Sequence, residues 1–199
     1  MIRSHIFHFA LAVVCACTCS AHAQTSSATD GAIAPAAQTS PISPKLKENL
    51  APRMKVLLLS RSSQEITYAV IFGKGDEVMA GLAEFAQKEH LGASQITGIG
   101  GIEDATIGYF DRQKNMHRPI SINQQSEVLS LLGDIALFQG KPVVHIHMTV
   151  GFPDGSAHGG HLLKAHVWPT MEVIVTEYPN AMHKKLDAET GAAFIESPE

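Results

Sequence analysis

From residue 54 onward, apolar residues alternate with polar ones or run together in short blocks, a pattern that predicts strands along most of the chain. Residues 54–59 and 66–72 read as two strands separated by the polar Arg61-Ser-Ser-Gln-Glu65 turn. After Gly73-Lys74-Gly75 the period changes. Val78, Leu82 and Phe85 recur at helical spacing, which predicts a helix capped by Asp76 and running to about His90. Seven further strands are expected at residues 96–99, 105–110, 120–123, 127–136, 143–150, 161–167 and 172–176, each bounded by Gly, Pro, Asp or Asn. The glycines between Gly98 and Gly101 follow one strand and lead into another, so they are expected to allow a tight turn rather than to cradle a phosphate. The closing residues 186–194 fit a loop with a last edge strand, and equally a short helix beginning at Ala181. The fold class that follows is α+β, a strand-rich domain with largely antiparallel neighbours and a single clear helix.

Before residue 54 the pattern is of another kind. Residues 1–23 open with Arg3, continue through an apolar run from Ile6 to Ala16, and end in Ala21-His22-Ala23. Small residues three and one positions before the break fit cleavage after Ala23, the form of a signal peptide, so a periplasmic or secreted location is expected. The apolar run is short for a membrane span. Residues 24–53, rich in Ala, Ser, Thr and Pro, cannot bury enough apolar surface to offset their own ordering and read as a flexible linker. Residues 54–199 are left as a single folded domain. Cys15, Cys17 and Cys19 all fall in the leader, so the mature chain is expected to have neither disulfides nor thiolate metal ligands.

Of the 199 residues, 45% are apolar and 17% charged, an ordinary balance for a domain with a core. The formal charge of −4 gives none of the basic excess that neutralising a phosphate backbone requires, which argues against nucleic acid as a partner. Histidine is the unusual residue. There are 11, and five fall between His145 and His166. In the predicted strand Val143–Val150, His145, His147 and Thr149 share one face while Val144, Ile146 and Met148 share the other. Two imidazoles on one strand face can converge on a single ion.

The segment from Gly151 to Gly160 turns the chain back and delivers His161. A strict two-residue turn at Asp154-Gly155 would make paired residue numbers total 309 and point His161 to the wrong face. A longer turn, or a bulge at Gly159-Gly160, moves the total to 308 or 310 and brings His161 to the face of His145 and His147. Three neutral imidazoles with an open fourth position are the ligand set by which zinc holds water or substrate, and other first-row metals accept it too. A divalent metal, zinc before others, is therefore expected on His145, His147 and His161. His158 and His166 are expected to face solvent or an interface, and His90, His117 and His183 have no assigned role. Glu172, on the next predicted strand, is the candidate catalytic base toward metal-bound water, or else an exposed strand residue. Cupins also carry His-x-His but follow it with a Glu three to five residues later, where this chain has Val150, Gly151 and Phe152. Hydrolase-elbow, P-loop and dinucleotide fingerprints are absent.

Five ordered segments carry a resemblance: Gly98 to Asp111, Glu127 to Ala136, Lys141-Pro-Val-Val-His-Ile-His147, Gly159-Gly-His-Leu-Leu163 and Pro169-Thr-Met-Glu-Val173. Together they closely resemble the PPC domain, the name standing for "plants and prokaryotes conserved", over essentially the whole predicted folded part. The resemblance implies a compact α+β fold, a curved, mainly antiparallel sheet with one principal flanking helix, assembled as a homotrimer, with the His-x-His and Gly-Gly-His segments as a metal-binding cluster on His145, His147 and His161. Asp134 stands where the family pattern more often has Asn, which leaves the Leu131-Leu-Gly-Asp134 segment without an assigned role. Plant members bind DNA through a separate Arg-Gly-Arg-Pro type segment that this chain lacks. The expectation is an exported, trimeric PPC-type protein binding a divalent metal, with a small-molecule ligand at a subunit interface. A metal-dependent hydrolase or lyase, a structural or partner-binding trimer and, remotely, a DNA-binding protein are the alternatives.

Overall fold

A computed structural model describes residues 50–197. The expected leader and most of the expected linker lie outside the described residues. Among these, the chain forms β1 (Lys55–Arg61), β2 (Ile66–Gly73), α1 (Val78–Lys88), β3 (Ala93–Asp111), β4 (Met116–Ile122), β5 (Ser126–Phe138), β6 (Lys141–Gly151), β7 (Ala157–Glu177), β8 (Lys184–Leu186) and β9 (Ala193–Ile195).

The first seven strands make one antiparallel sheet in the order β1-β2-β7-β6-β5-β3-β4, with β3 also paired to β7. β7 is long enough to serve two neighbours along one edge. Its first residues pair with β6 and its last with β2, while β3 lies along its other edge throughout. The sheet therefore curls until β3, β5, β6 and β7 form a closed ring, as the right-handed twist of long strands permits. β8 and β9 form a separate two-stranded hairpin. Of the two expectations for the C-terminal stretch, the edge strand is therefore the one realised.

Helix α1 packs against β6 and β7. Val78, Leu82, Phe85 and Ala86 are buried, the spacing by which a helix lays one face on a sheet. They join Ile146, Met148, Leu162, Val173 and Val175 in one apolar core. The N-cap is Glu77 rather than the expected Asp76, its carboxylate accepting from the amides of Met79 and Ala80. Asp76 is fully buried instead, where it accepts from the amides of Arg53 and Gly73 and ties the N-terminal segment to the helix. At the other end His90 adopts φ 55° and the Leu91 amide donates to the Ala86 carbonyl, which stops the helix two residues before His90. Among the described residues no helix is long and apolar enough to cross a membrane.

The expected tight turn at Gly98–Gly101 is absent. β3 runs straight through these residues, and only its register shifts, between Gly98 and Gly100 against β5 and between Gly100 and Ile102 against β7. The glycines are needed because β7 crosses too closely for side chains: a Cβ on Gly101 would lie 2.2 Å from the Trp168 carbonyl oxygen, and one on Gly100 2.5 Å from that of Thr170. In the same way the expected strands at 161–167 and 172–176 are two parts of one strand, β7.

Candidate metal centre

The β6–β7 register decides the site. His147 pairs with His161 and Gly151 with Ala157, so paired residue numbers total 308, one of the two registers the metal reading required. It arises from the loop between Gly151 and Ala157, closed by the Phe152 amide on the Ser156 carbonyl, and no bulge interrupts this pairing at Gly159-Gly160. Val144, Ile146 and Met148 are buried on the helix side, while His145, His147 and Thr149 stand on the outer face. Directly opposite partners share a face, so His161 joins His147 there and Asp134 of β5 joins His145.

On this face one ligand nitrogen from each of His145, His147 and His161 lies within 4.8 Å of the others. Tetrahedral zinc with bonds of about 2.0–2.1 Å sets its ligand nitrogens about 3.3 Å apart, so the three imidazoles would draw together by up to about 1.5 Å to close on an ion. His145 and His161 are half-buried and His147 is exposed, which leaves the open side of the cluster on the outer face.

Three residues to which the sequence assigned no role complete the surroundings. The Asp134 carboxylate accepts from His145 Nδ1 at 3.2 Å. That contact places the His145 proton on Nδ1 and leaves Nε2 free to face an ion. On its other side, the Lys184 ammonium approaches Asp134 Oδ1 at 2.7 Å, and no other donor among the described residues reaches that buried oxygen. His117, on β4, stacks on His161 with ring centroids 4.6 Å apart and planes at 23°. Gly108 makes this possible. It pairs with His161 across the sheet, and a Cβ there would come within 3.2 Å of the His117 side chain.

Electrostatics favour the ligand form of the cluster. Burial, with the charges of His117, His145, His147 and Lys184 behind it, lowers the His161 pKa to about 3. His147, though exposed at its outer edge, is lowered by partial desolvation and by His145 and His117, and His117 by burial and His145. All three are therefore held neutral, and a neutral imidazole is the form that donates a lone pair. Burial raises the Asp134 pKa, but hydrogen bonds from His145 and Lys184 outweigh it, so the net shift is downward and the group stays a carboxylate.

The other candidates lie outside this group. His158 packs edge-on to Phe152, and His166 is held through Nδ1 by both oxygens of Asp104 at 2.9 and 3.0 Å. Glu172 is an exposed residue in the last third of β7, opposite Ile71 and Ile99, away from the His161 end of the strand.

A small α+β domain with a ring-closed antiparallel sheet and a three-histidine group on its outer face is thus the class that fold and site define. The family model of the Plants and Prokaryotes Conserved (PCC) domain matches residues 59–179. The chain belongs to this family, the PPC family of the sequence resemblance. Among solved structures it is similar to a plant- and prokaryote-conserved protein from Pyrococcus horikoshii, at 28% identity, TM-score 0.63, and coverage of 73% of this chain and 96% of that one. A protein from Ralstonia eutropha provisionally named DNA-binding is 32% identical, with TM-score 0.61 and coverage of 66% and 91%. A protein from Archaeoglobus fulgidus described as metal-containing is 27% identical, with TM-score 0.62 and coverage of 72% and 98%. No curated protein matches the chain.

Proposed function

We propose that this chain is an exported, trimeric PPC-domain protein that holds a divalent metal ion, zinc before others, between His145, His147 and His161. What carries the reading is the convergence of the three imidazoles on one sheet face, backed by Asp134 behind His145. Three strands, β5, β6 and β7, contribute to that arrangement, and a carboxylate behind a ligand histidine is the usual support of a metal centre. The metal-containing relative from Archaeoglobus fulgidus adds to it. A zinc ion on three nitrogens supplies a Lewis acid with an open position, able to acidify water or polarise a carbonyl. The protein's own part is to keep His147 and His161 neutral, to fix His145 by its Nδ1, and to leave the outer side of the cluster accessible to a small ligand.

Export rests on the leader sequence, and assembly on the apolar surface of β1, where Leu57, Leu58 and Leu59 are all more than half exposed. Hydrolase or lyase chemistry is the weaker reading, because Glu172 lies away from the cluster and Asp134 is already engaged by His145 and Lys184. Provisional DNA-binding names on two similar structures are slight support for DNA binding against a net charge of −4.

The test is elemental mass spectrometry on mature, untagged protein beside a His145→Ala/His147→Ala variant. Near-stoichiometric zinc or another transition metal, lost in the variant, is the expected result. Absence of metal even after incubation with zinc would sink the reading and leave a structural or partner-binding module.

A further inference from the structure

Lys184 belongs to β8, beyond the residues 59–179 that the family model matches, yet its side chain is only 3% exposed and ends at the candidate metal centre. The segment is held there by the backbone. The Leu137 amide donates to the Met182 carbonyl, the Met182 amide to that of Gly92, and His183 bridges in parallel to Leu137, so the chain entering β8 lies along the end of β5. From this position the ammonium reaches one oxygen of Asp134 while His145 Nδ1 reaches the other.

The chemistry of this bridge is restrictive. An ammonium can only donate, so Lys184 demands an acceptor from residue 134. A carboxylate has a second acceptor to offer His145, which then keeps its proton on Nδ1 and its Nε2 lone pair free. An amide in its place would give its oxygen to Lys184 and turn its NH2 toward His145, forcing the proton onto Nε2, the atom needed for metal.

We infer that Lys184 is a positioning residue of the candidate metal centre: from the C-terminal β8–β9 hairpin it holds one oxygen of Asp134 and demands an acceptor there, so that only a carboxylate at residue 134 leaves His145 with its proton on Nδ1 and its Nε2 free for metal. The inference rests on the metal reading for its consequence, but the relay itself can be observed without metal. It makes residues 134 and 184 a matched pair. A carboxylate at 134 suits a chain with Lys184, and an amide suits one without it.

Two readouts on the full mature chain test this, on wild type, Asp134→Asn, Lys184→Met and the double variant. Lys184→Met preserves most of the side-chain volume, and thermal melts of all four proteins report whether each is folded. The first readout is the nitrogen chemical shifts of the His145 ring in metal-free protein at pH 8. The Nδ1–H tautomer is expected in wild type, Nε2–H in Asp134→Asn, and a return toward Nδ1–H in the double variant, where the introduced amide is free to turn its oxygen to His145. The second is cobalt(II) titration followed by its visible absorption. Asp134→Asn is expected to weaken binding by roughly ten- to a hundredfold, the usual effect of losing a ligand's supporting group. The double variant should bind more tightly than Asp134→Asn alone. If adding Lys184→Met instead leaves the tautomer of Asp134→Asn unchanged, or the two losses of affinity multiply, the relay is overturned. A tautomer switch that behaves as expected in a wild-type protein that takes up no cobalt would overturn the metal reading and leave the relay standing.

Discussion

His161 shows how far a fold can move a single side chain. Its ordinary pKa of 6.5 falls to about 3, first because it is buried and then because three histidines and a lysine crowd it. Between those two values the unfolded chain binds a proton that the folded chain does not, so stability falls as pH is lowered through this window. His147 and His117, also lowered, act in the same direction. The melting temperature of the metal-free protein should therefore drop steadily between about pH 6.5 and pH 4. In a His161→Gln variant, which has nothing to protonate there, the drop should be distinctly smaller. An equal acid sensitivity in the two proteins would show that burial of His161 is not the cause. Asp134 was open to the same kind of reasoning. Gln139 and Gly140 both take positive φ, the form of a two-residue hairpin turn, and that turn pairs Phe138 with Lys141 and therefore Asp134 with His145. The signal lay in the turn, whereas Asp134 stood out in the sequence only as a departure from a family pattern.

At the scale of elements, strand alternation was the most legible feature. Val143 to Val150 gave the inward and outward faces of β6 without any knowledge of its neighbours, because the period of two is a property of the strand itself. Continuity was less legible. The glycines of β3 look like a turn in sequence, and nothing local says that β7 passes over them. Gly133 makes the same point beside the site. It pairs with Ile146, and a Cβ there would lie 2.1 Å from the His145 carbonyl oxygen. Gly133→Ala should force β5 and β6 apart at His145 and cost about 2–3 kcal/mol in chemical denaturation, with metal affinity falling alongside. A variant as stable as wild type would mean that the strands can separate there at no cost.

For the whole molecule, the surface of β1 bears on assembly. All seven residues of β1 are exposed, so this edge strand presents apolar side chains on both faces together with a backbone edge that no other described strand pairs. Natural edge strands usually avoid that combination unless a partner covers it. Light scattering on the mature protein should give three times the chain mass, and Leu57→Glu/Leu59→Glu should reduce it to one while the far-ultraviolet circular dichroism of the fold persists. A monomeric wild type would remove the trimer from the proposal.

By itself the sequence determined what depends on near neighbours along the chain: the strand-rich α+β class, the faces of β6, the apolar stripe of α1 and the motifs that carry the family resemblance. It narrowed the place of His161 to a choice of register without making that choice. The tertiary structure made it, through the loop between Gly151 and Ala157 that sets His161 opposite His147. It alone decided what depends on residues far apart in sequence: the crossing of β3 by β7, the stacking of His117 on His161, and the reach of Lys184 to Asp134. Such contacts follow from how long strands twist and close on one another, and that geometry is a property of the assembled sheet rather than of any one segment.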